Sequence, residues 1–235
     1  MKKISIIIPA YNEEKFIKET LKRVIKANTL GLTKEIIIIN DGSTDKTLHV
    51  LKKIKKDKRV KIISNNKNQG KGSAIKKGLL LSNGNIVIIQ DADLEYDLKD
   101  YVLLIAPFLE KKADVVYGSR FISGQPHRVL YFWHYVVNIF LTGLSNILTN
   151  LNLTDMETGY KAFKGNIIRS IAPNLESKRF GFESEITAKI AKIKNIRIYE
   201  VGISYQGRIY EEGKKINWID GLKNLIDIIL FNLFR

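Results

Sequence analysis

An α/β fold built on a doubly wound, mostly parallel sheet is predicted by three features of the sequence. Short runs of β-branched and other apolar residues alternate with helix-length amphipathic segments for about 120 residues, the pattern that strand–helix–strand crossovers produce. Those runs end abruptly in Asn, Asp, Gly or Pro, so each strand has a defined carboxyl end with a polar loop beyond it. The chain is 235 residues long and 45% hydrophobic, enough to bury the core of one large domain. The expected division is a single α/β domain over 1–217 and a C-terminal amphipathic helix over 218–235.

The first run, Ile4–Ile8, stops at Pro9 and leads into the loop Pro9-Ala10-Tyr11-Asn12-Glu13. Phe16, Ile17, Leu21, Val24 and Ile25 then recur at helical spacing, and Gly31 ends that segment. Ile36–Ile39 is the second strand, after which Asn40-Asp41-Gly42-Ser43 turns the chain and caps a helix over Thr44–Lys56. Val60–Ile63 is the third, followed by the basic glycine loop Asn65–Gly72 and a helix over Ser73–Leu81. The fourth run, Ile86–Gln90, is apolar up to its last residue, as a strand buried on both faces is. A helix over Lys99–Glu110 and a fifth strand, Asp114–Tyr117, complete the repeat.

Beyond Phe121 the pattern changes. Val129–Leu148 is apolar, but His134, Asn138, Thr142, Ser145 and Thr149 recur every three or four residues as a polar stripe. A helix lying on the core or on a membrane surface is therefore expected, not a membrane span. Thr154–Gly159 carries two more carboxylates, Asp155 and Glu157, and Phe182-Glu183-Ser184-Glu185 starts a helix whose glutamates complement its dipole. Ile196–Val201 reads as a strand and Arg208–Lys215 as a charged loop. Trp218–Phe234 has an apolar stripe with Lys223 and Asp227 inside it, which suits a membrane interface, a packed face or a dimer contact.

Cysteine is absent, which excludes disulfides, thiolate metal sites and a cysteine nucleophile. The net charge of +15 points to an anionic partner, whether nucleic acid, a phosphate-rich ligand or a membrane surface, although the lysines fall largely on helix faces such as Lys52–Lys58. No signal-peptide pattern precedes Ile4, so a cytoplasmic protein is expected.

The chemistry concentrates after the fourth strand, in Ile86–Glu95, IVIIQDADLE. Ligands bind at the carboxyl edge of such sheets. Asp91 and Asp93 are two residues apart, so in extended backbone they face the same way and suit one Mg²⁺ or Mn²⁺ shared with substrate oxygens. An isolated D-x-D is better explained as a solvated turn. Here Tyr11 with Glu13, Asp41, and Gly70 with Lys71 lie at neighbouring strand ends, and together they outline a crevice for a nucleoside diphosphate. Singly, each is ordinary turn chemistry. The glycine loop lacks Walker A spacing and no G-x-G-x-x-G follows the first strand, so P-loop and dinucleotide readings are weak.

The ordered set PAYNEE, NDGSTD, NQGKG, DADLE and GSRF, one after each of the five strands, resembles the family 2 glycosyltransferases of GT-A fold. Within that family it is most similar to the polyprenyl-phosphate sugar synthases, the dolichyl-phosphate mannose and glucose synthases. The likeness runs from Lys3 to Phe121, and the later YQGRIYEEGKKI supports the same subgroup. It implies an inverting, metal-dependent transfer of a hexose from a UDP- or GDP-sugar to a polyprenyl phosphate, by a peripheral protein on the cytoplasmic face of a membrane, with no nucleic acid involved. Pro9, Ala10, Tyr11, Glu13, Asp41 and Asp91 would hold the nucleotide, and Lys71 would approach its diphosphate. Asp91 and Asp93 would hold the metal with Glu95, which stands where mannose synthases often have Gln. Arg120, Arg128 and Arg208, with Lys214, would hold the acceptor phosphate.

The acceptor decides what else the site needs. A hydroxyl must lose a proton to a positioned carboxylate. A lipid phosphate monoester, with a second pKa of about 6, is already largely dianionic at neutral pH and needs cations, for which the arginine fork is suited. A family 2 enzyme acting on a saccharide hydroxyl, with Asp155 or Glu157 as base, is the nearer alternative. A non-catalytic basic module binding nucleic acid or membrane is the farther one, and the convergence of Asp41, Asp91 and Asp93 speaks against it.

Overall fold

The computed structural model describes residues 1–54, 57–122, 124, 127–129, 131–179, 181–207 and 218–235, with the side chains of all of these except 218–220. Its strands are β1 (Lys3–Ala10), β2 (Thr33–Asn40), β3 (Val60–Ser64), β4 (Ile86–Ile89), β5 (Val115–Ser119), β6 (Lys161–Lys164) and β7 (Ile198–Gly202). The helices are α1 (Ile17–Lys26), α2 (Thr47–Ile54), α3 (Lys71–Leu81), α4 (Tyr101–Leu109), α5 (Phe132–Thr149), α6 (Gly165–Ile171), α7 (Phe182–Ala191) and α8 (Trp218–Leu233).

The strands form one sheet in the order β3-β2-β1-β4-β6-β5-β7. β3, β2, β1 and β4 are parallel neighbours, as are β5 and β7. Residues alternate across the sheet with period two. Ile6, Ile8, Ile36, Ile38, Ile86 and Ile88 face a core completed by Leu21, Val24, Leu51, Leu104 and Phe108 from α1, α2 and α4. Ile7, Val87 and Ile89 face the opposite core, completed by Ile75, Leu79, Ile168, Ile186, Ile190 and Ile228. All these isoleucines are fully buried or within 2% of it, and each such side chain contributes roughly 1.5–3 kcal/mol of burial free energy. The chain leaves β1 toward β2 and β3 and then returns to β4 on the other side, so the crevice of a doubly wound sheet opens beyond the ends of β1 and β4.

One strand was not legible in the sequence. β6, KAFK, is only four residues long, carries a lysine at each end, and runs antiparallel between β4 and β5. Its position makes Lys161 almost completely buried, and the burial is tolerated because the ammonium donates to the Met156 carbonyl at 2.8 Å and to the Thr158 carbonyl. It also lies 5.1 Å from the centre of the Tyr117 ring.

The polar stripe on α5 turns inward. Thr142 and Ser145 are buried, and Thr142 Oγ1 accepts from the Met156 amide at 3.2 Å. The apolar side faces outward, with Phe132 66%, Trp133 72% and Phe140 60% exposed. α8 packs on α5 and α7, burying Asn224, Ile228 and Phe231 and leaving Leu222, Ile226 and Leu233 exposed. Among the described residues no helix is long and apolar enough to cross a membrane.

Candidate functional site at the carboxyl edge of the sheet

The end of β4 is fixed by a buried glutamine. Gln90 continues the ladder through its amide to Ile7, while its side-chain oxygen accepts from the hydroxyls of Tyr101 at 2.9 Å and Tyr160 at 2.7 Å. Its side-chain NH₂ donates to the Asp91 carbonyl at 2.9 Å. Next, Ala92 is buried and its carbonyl accepts from Thr20 at 2.8 Å. Ala92 is turned inward, and Asp91 and Asp93 on either side of it are both partly exposed; the chain turns at residues 92 and 93 and is not extended there, so the alternation expected of a strand does not set their directions. Asp93 also accepts the Glu95 amide at 3.3 Å.

Asp91 faces Lys71, whose ammonium lies 3.0 Å from Asp91 Oδ1 and 3.1 Å from Glu183 Oε1. Burial disfavours the charge on Lys71, but Asp91 and Glu183 outweigh it and hold its pKa well above the ordinary lysine value. Lys71 opens α3, one residue after Gly70. Gly70 has φ +100°, and a Cβ there would collide with the Lys178 carbonyl, so the backbone conformation and the close approach both require glycine. Asp41, 2% exposed, holds this loop: it accepts the amides of Gln69 at 3.0 Å and Gly70 at 2.7 Å and the Asn65 side-chain amide at 2.7 Å. In the first loop Pro9 is half-buried, Ala10 is 2% exposed and Glu13 7%, while Tyr11 is exposed at the surface.

A second cluster lies beyond β5. Arg120 forms a two-pronged pair with Asp155, Nε to Oδ2 at 2.6 Å and Nη2 to Oδ1 at 2.7 Å, and its amide donates to the same carboxylate at 3.1 Å. Burial opposes the charge on Arg120, and Asp155 outweighs it. The guanidinium sits 5.2 Å from the Tyr205 ring centre, and Tyr205 donates to Glu95 Oε2 at 2.8 Å. Tyr96 joins the two clusters. Its ring stacks on Tyr160 at 4.4 Å, its hydroxyl accepts the Gly159 amide at 2.7 Å, and the charges of Arg120 and Asp91 both act on it. Arg128 donates to the Gly207 carbonyl at 3.0 Å, immediately before Arg208. Arg208 and Lys214 lie outside the described residues.

Asp155 is therefore fully buried and committed to Arg120, which does not suit the base of a hydroxyl-acceptor reaction. Glu157 is placed differently. Burial first, and then the Glu183 carboxylate, push its pKa up, while Lys161 and a hydrogen bond with Asn224 of α8 oppose them. Burial lowers the pKa of Lys161 against the pull of Glu183 and Glu157. Glu157 Oε1 and Glu183 Oε2 are buried without a hydrogen-bond partner among the described residues. Glu183, Lys161, Asn224 and the tyrosines 96, 160 and 205 were not recognised from the sequence as site residues. Glu183 reads there as a first-turn acid; nothing local shows that it reaches Lys71, whose number is 112 lower.

The donor chemistry fits a divalent ion. Among the described residues no three carboxylate or imidazole groups gather into a closed cage. Asp91 already receives one cation, Lys71, and Gly159 keeps its approach clear, since a Cβ there would collide with Asp91 Oδ2. Two hard carboxylates at an open edge suit Mg²⁺ or Mn²⁺, which commonly draw their remaining ligands from phosphate and water. The Glu95 carboxylate is held by Tyr205 at the rim.

The family model described as glycosyl transferase family 2 matches residues 5–171. A dolichyl-phosphate β-glucosyltransferase of Trichomonas vaginalis is 28% identical, over 98% of this chain and 73% of that protein. A UDP-N-acetylglucosamine–dolichyl-phosphate N-acetylglucosaminyltransferase of Methanococcus voltae is 27% identical, over 99% and 97%. The crystal structure of glucosyl-3-phosphoglycerate synthase from Mycobacterium tuberculosis, solved with Mn²⁺, UDP and phosphoglyceric acid, superposes with a TM-score of 0.74 at 18% identity. It covers 100% of this chain and 80% of that one, a likeness of fold.

Proposed function

Because the chain belongs to glycosyl transferase family 2, we propose that it is a divalent-cation-dependent glycosyltransferase moving a hexose from a nucleotide sugar to a polyprenyl phosphate of the dolichyl type. The observation that carries this reading is the pairing of two sites on one sheet edge: Asp91 with Lys71, where a diphosphate leaves, and Arg120 with Asp155, where a second phosphate is received. The curated relatives named above act on dolichyl phosphate, which supports the acceptor; UDP, named for one of them, is the favoured nucleotide.

In this reading Pro9, Ala10, Tyr11 and Glu13 line the nucleoside side, and Asp41 acts by fixing the loop that presents Lys71. Asp91 and Asp93, with Glu95 at the rim, hold the cation. When bound, the ion offsets charge on the leaving diphosphate. Lys71, at the start of α3, adds an ammonium and the positive end of a helix to the same anion. Arg120, oriented by Asp155, receives the acceptor phosphate; Arg128 and, outside the described residues, Arg208 and Lys214 are assigned to the same anion by the sequence motif. The acceptor oxygen attacks the anomeric carbon as the bond to the diphosphate breaks, and an anionic oxygen needs no base. The outward apolar faces of α5 and α8 and the +15 charge support docking on an anionic cytoplasmic membrane surface, where a polyprenyl phosphate resides.

A panel of UDP- and GDP-hexoses, offered with polyprenyl phosphate in Mn²⁺ or in excess EDTA, tests the reaction and its metal. Asp93→Asn should keep the melting temperature and lose nearly all turnover. Wild-type turnover in EDTA would remove the metal from the proposal.

A further inference from the structure

We propose that Glu183 is a positioning residue that keeps Lys71 from neutralising Asp91, and that it thereby sets the affinity of the site for a divalent cation before nucleotide arrives. The inference rests on the metal-dependent reading above and deepens it. Lys71 is held between two carboxylates from different elements, Asp91 after β4 and Glu183 in the first turn of α7. With Asp91 alone, the ammonium would form a closed one-to-one pair, and an arriving cation would have to displace it. Glu183 makes the trio net negative and gives Lys71 a second anchor, so Asp91 can turn to a metal while Lys71 keeps a partner. The side chain of Glu183 is 7% exposed and that of Lys71 22%, so solvent screens this exchange only weakly. A role limited to complementing the helix dipole requires no contact with Lys71 and would leave metal binding unchanged.

The test is Mn²⁺ binding to the nucleotide-free protein, followed by the electron paramagnetic resonance signal of free Mn²⁺. Glu183→Gln keeps the shape and lets Lys71 close on Asp91, so the Kd for Mn²⁺ should rise about tenfold or more. Lys71→Met should bind Mn²⁺ more tightly than wild type, whereas a lysine that acts only on phosphate would leave Mn²⁺ binding to the nucleotide-free protein unchanged. The double variant Lys71→Met/Glu183→Gln should recover most of the affinity lost in Glu183→Gln. At saturating Mn²⁺, kcat in Glu183→Gln should return toward wild type while the Mn²⁺ concentration for half-maximal rate stays raised. Unchanged Mn²⁺ affinity in folded Glu183→Gln, or unchanged or weaker binding in Lys71→Met, overturns the inference; should Glu183→Gln not fold, Glu183→Asp, which shortens the reach to Lys71, takes its place and should raise the Kd in the same direction. Absence of Mn²⁺ binding to the nucleotide-free wild type would overturn this inference alone; the metal-dependent reading falls only if the wild type turns over in excess EDTA.

Discussion

Replacing Asp155 by Asn should cost stability as well as activity, because the residue holds a buried arginine. Asp155 is completely buried and accepts from the Arg120 amide and from two guanidinium nitrogens at 2.6 and 2.7 Å. Asparagine keeps one acceptor oxygen, turns an NH₂ toward the guanidinium and leaves Arg120, whose side chain is 15% exposed, without its counter-charge. Breaking a buried pair in this way costs about 3–5 kcal/mol, against a total of roughly 5–15 kcal/mol for a domain. At roughly 2–4 °C per kcal/mol for a chain of this size, the Tm should fall by roughly 6–20 °C. Transfer should fall with it, since Arg120 is no longer oriented toward the acceptor phosphate. Glu157→Gln is the control. It removes a carboxyl whose charge is already disfavoured by burial and by Glu183, so its Tm should hold or rise. Thermal melting and urea titration, run beside a transfer assay below the lower Tm, measure both effects. An Asp155→Asn protein as stable as wild type, still active toward polyprenyl phosphate but inactive toward a hydroxyl acceptor, would refute the positioning role and restore Asp155 as a base.

Acid sensitivity should trace in part to Glu35. Burial opposes its ionisation, but Lys61, Ser5 and the Asn83 amide outweigh it and lower its pKa to about 2. A depressed carboxylate stabilises fully above its unfolded value and loses that contribution as pH falls through the folded one. Up to about 3 kcal/mol should therefore disappear between about pH 5 and pH 2, and Glu35→Gln should flatten that part of the stability curve. Gly159→Ala should raise the metal concentration needed for turnover, because the new methyl displaces the Asp91 carboxylate and comes to 3.1 Å from Tyr96; unchanged metal dependence would contradict the placement of the ion. Replacing Phe132 and Phe140 together by Ser should weaken sedimentation with anionic vesicles at least about tenfold and leave the Tm nearly unchanged, since both rings face outward. A large loss of Tm would show that they pack in the fold.

The parallel half of the sheet was legible because its signals are local. Ile36–Ile39 and Ile86–Ile89 are continuous apolar runs, and Asp41 and Asp91 stand two residues beyond their ends. β6 was not, since two lysines in KAFK mask a strand whose burial depends on carbonyls and a tyrosine ring supplied by other segments. On α5 the periodicity was read correctly, but not that the polar residues would face the protein; Thr142 is inside because it receives the Met156 amide, a long-range requirement. In the site, the carboxylates of DAD and the arginine of GSRF were visible as residue types at strand ends. Their partners were not. Asp155 read as a candidate base and proved to hold Arg120, and Glu183 read as a helix-start acid and proved to hold Lys71.

The measurement that bears most directly on the proposed reaction is the transfer of radiolabelled sugar from a nucleotide sugar into organic-extractable product, with a short polyprenyl phosphate and the matching polyprenol offered separately. Phosphate needs Arg120 and no base, whereas an alcohol needs a base, which Asp155, paired with Arg120, does not supply and for which Glu157 is the candidate left. Label should enter the organic phase with the polyprenyl phosphate alone. Label entering equally with the alcohol, or appearing only in aqueous saccharide products, would contradict a lipid-phosphate acceptor.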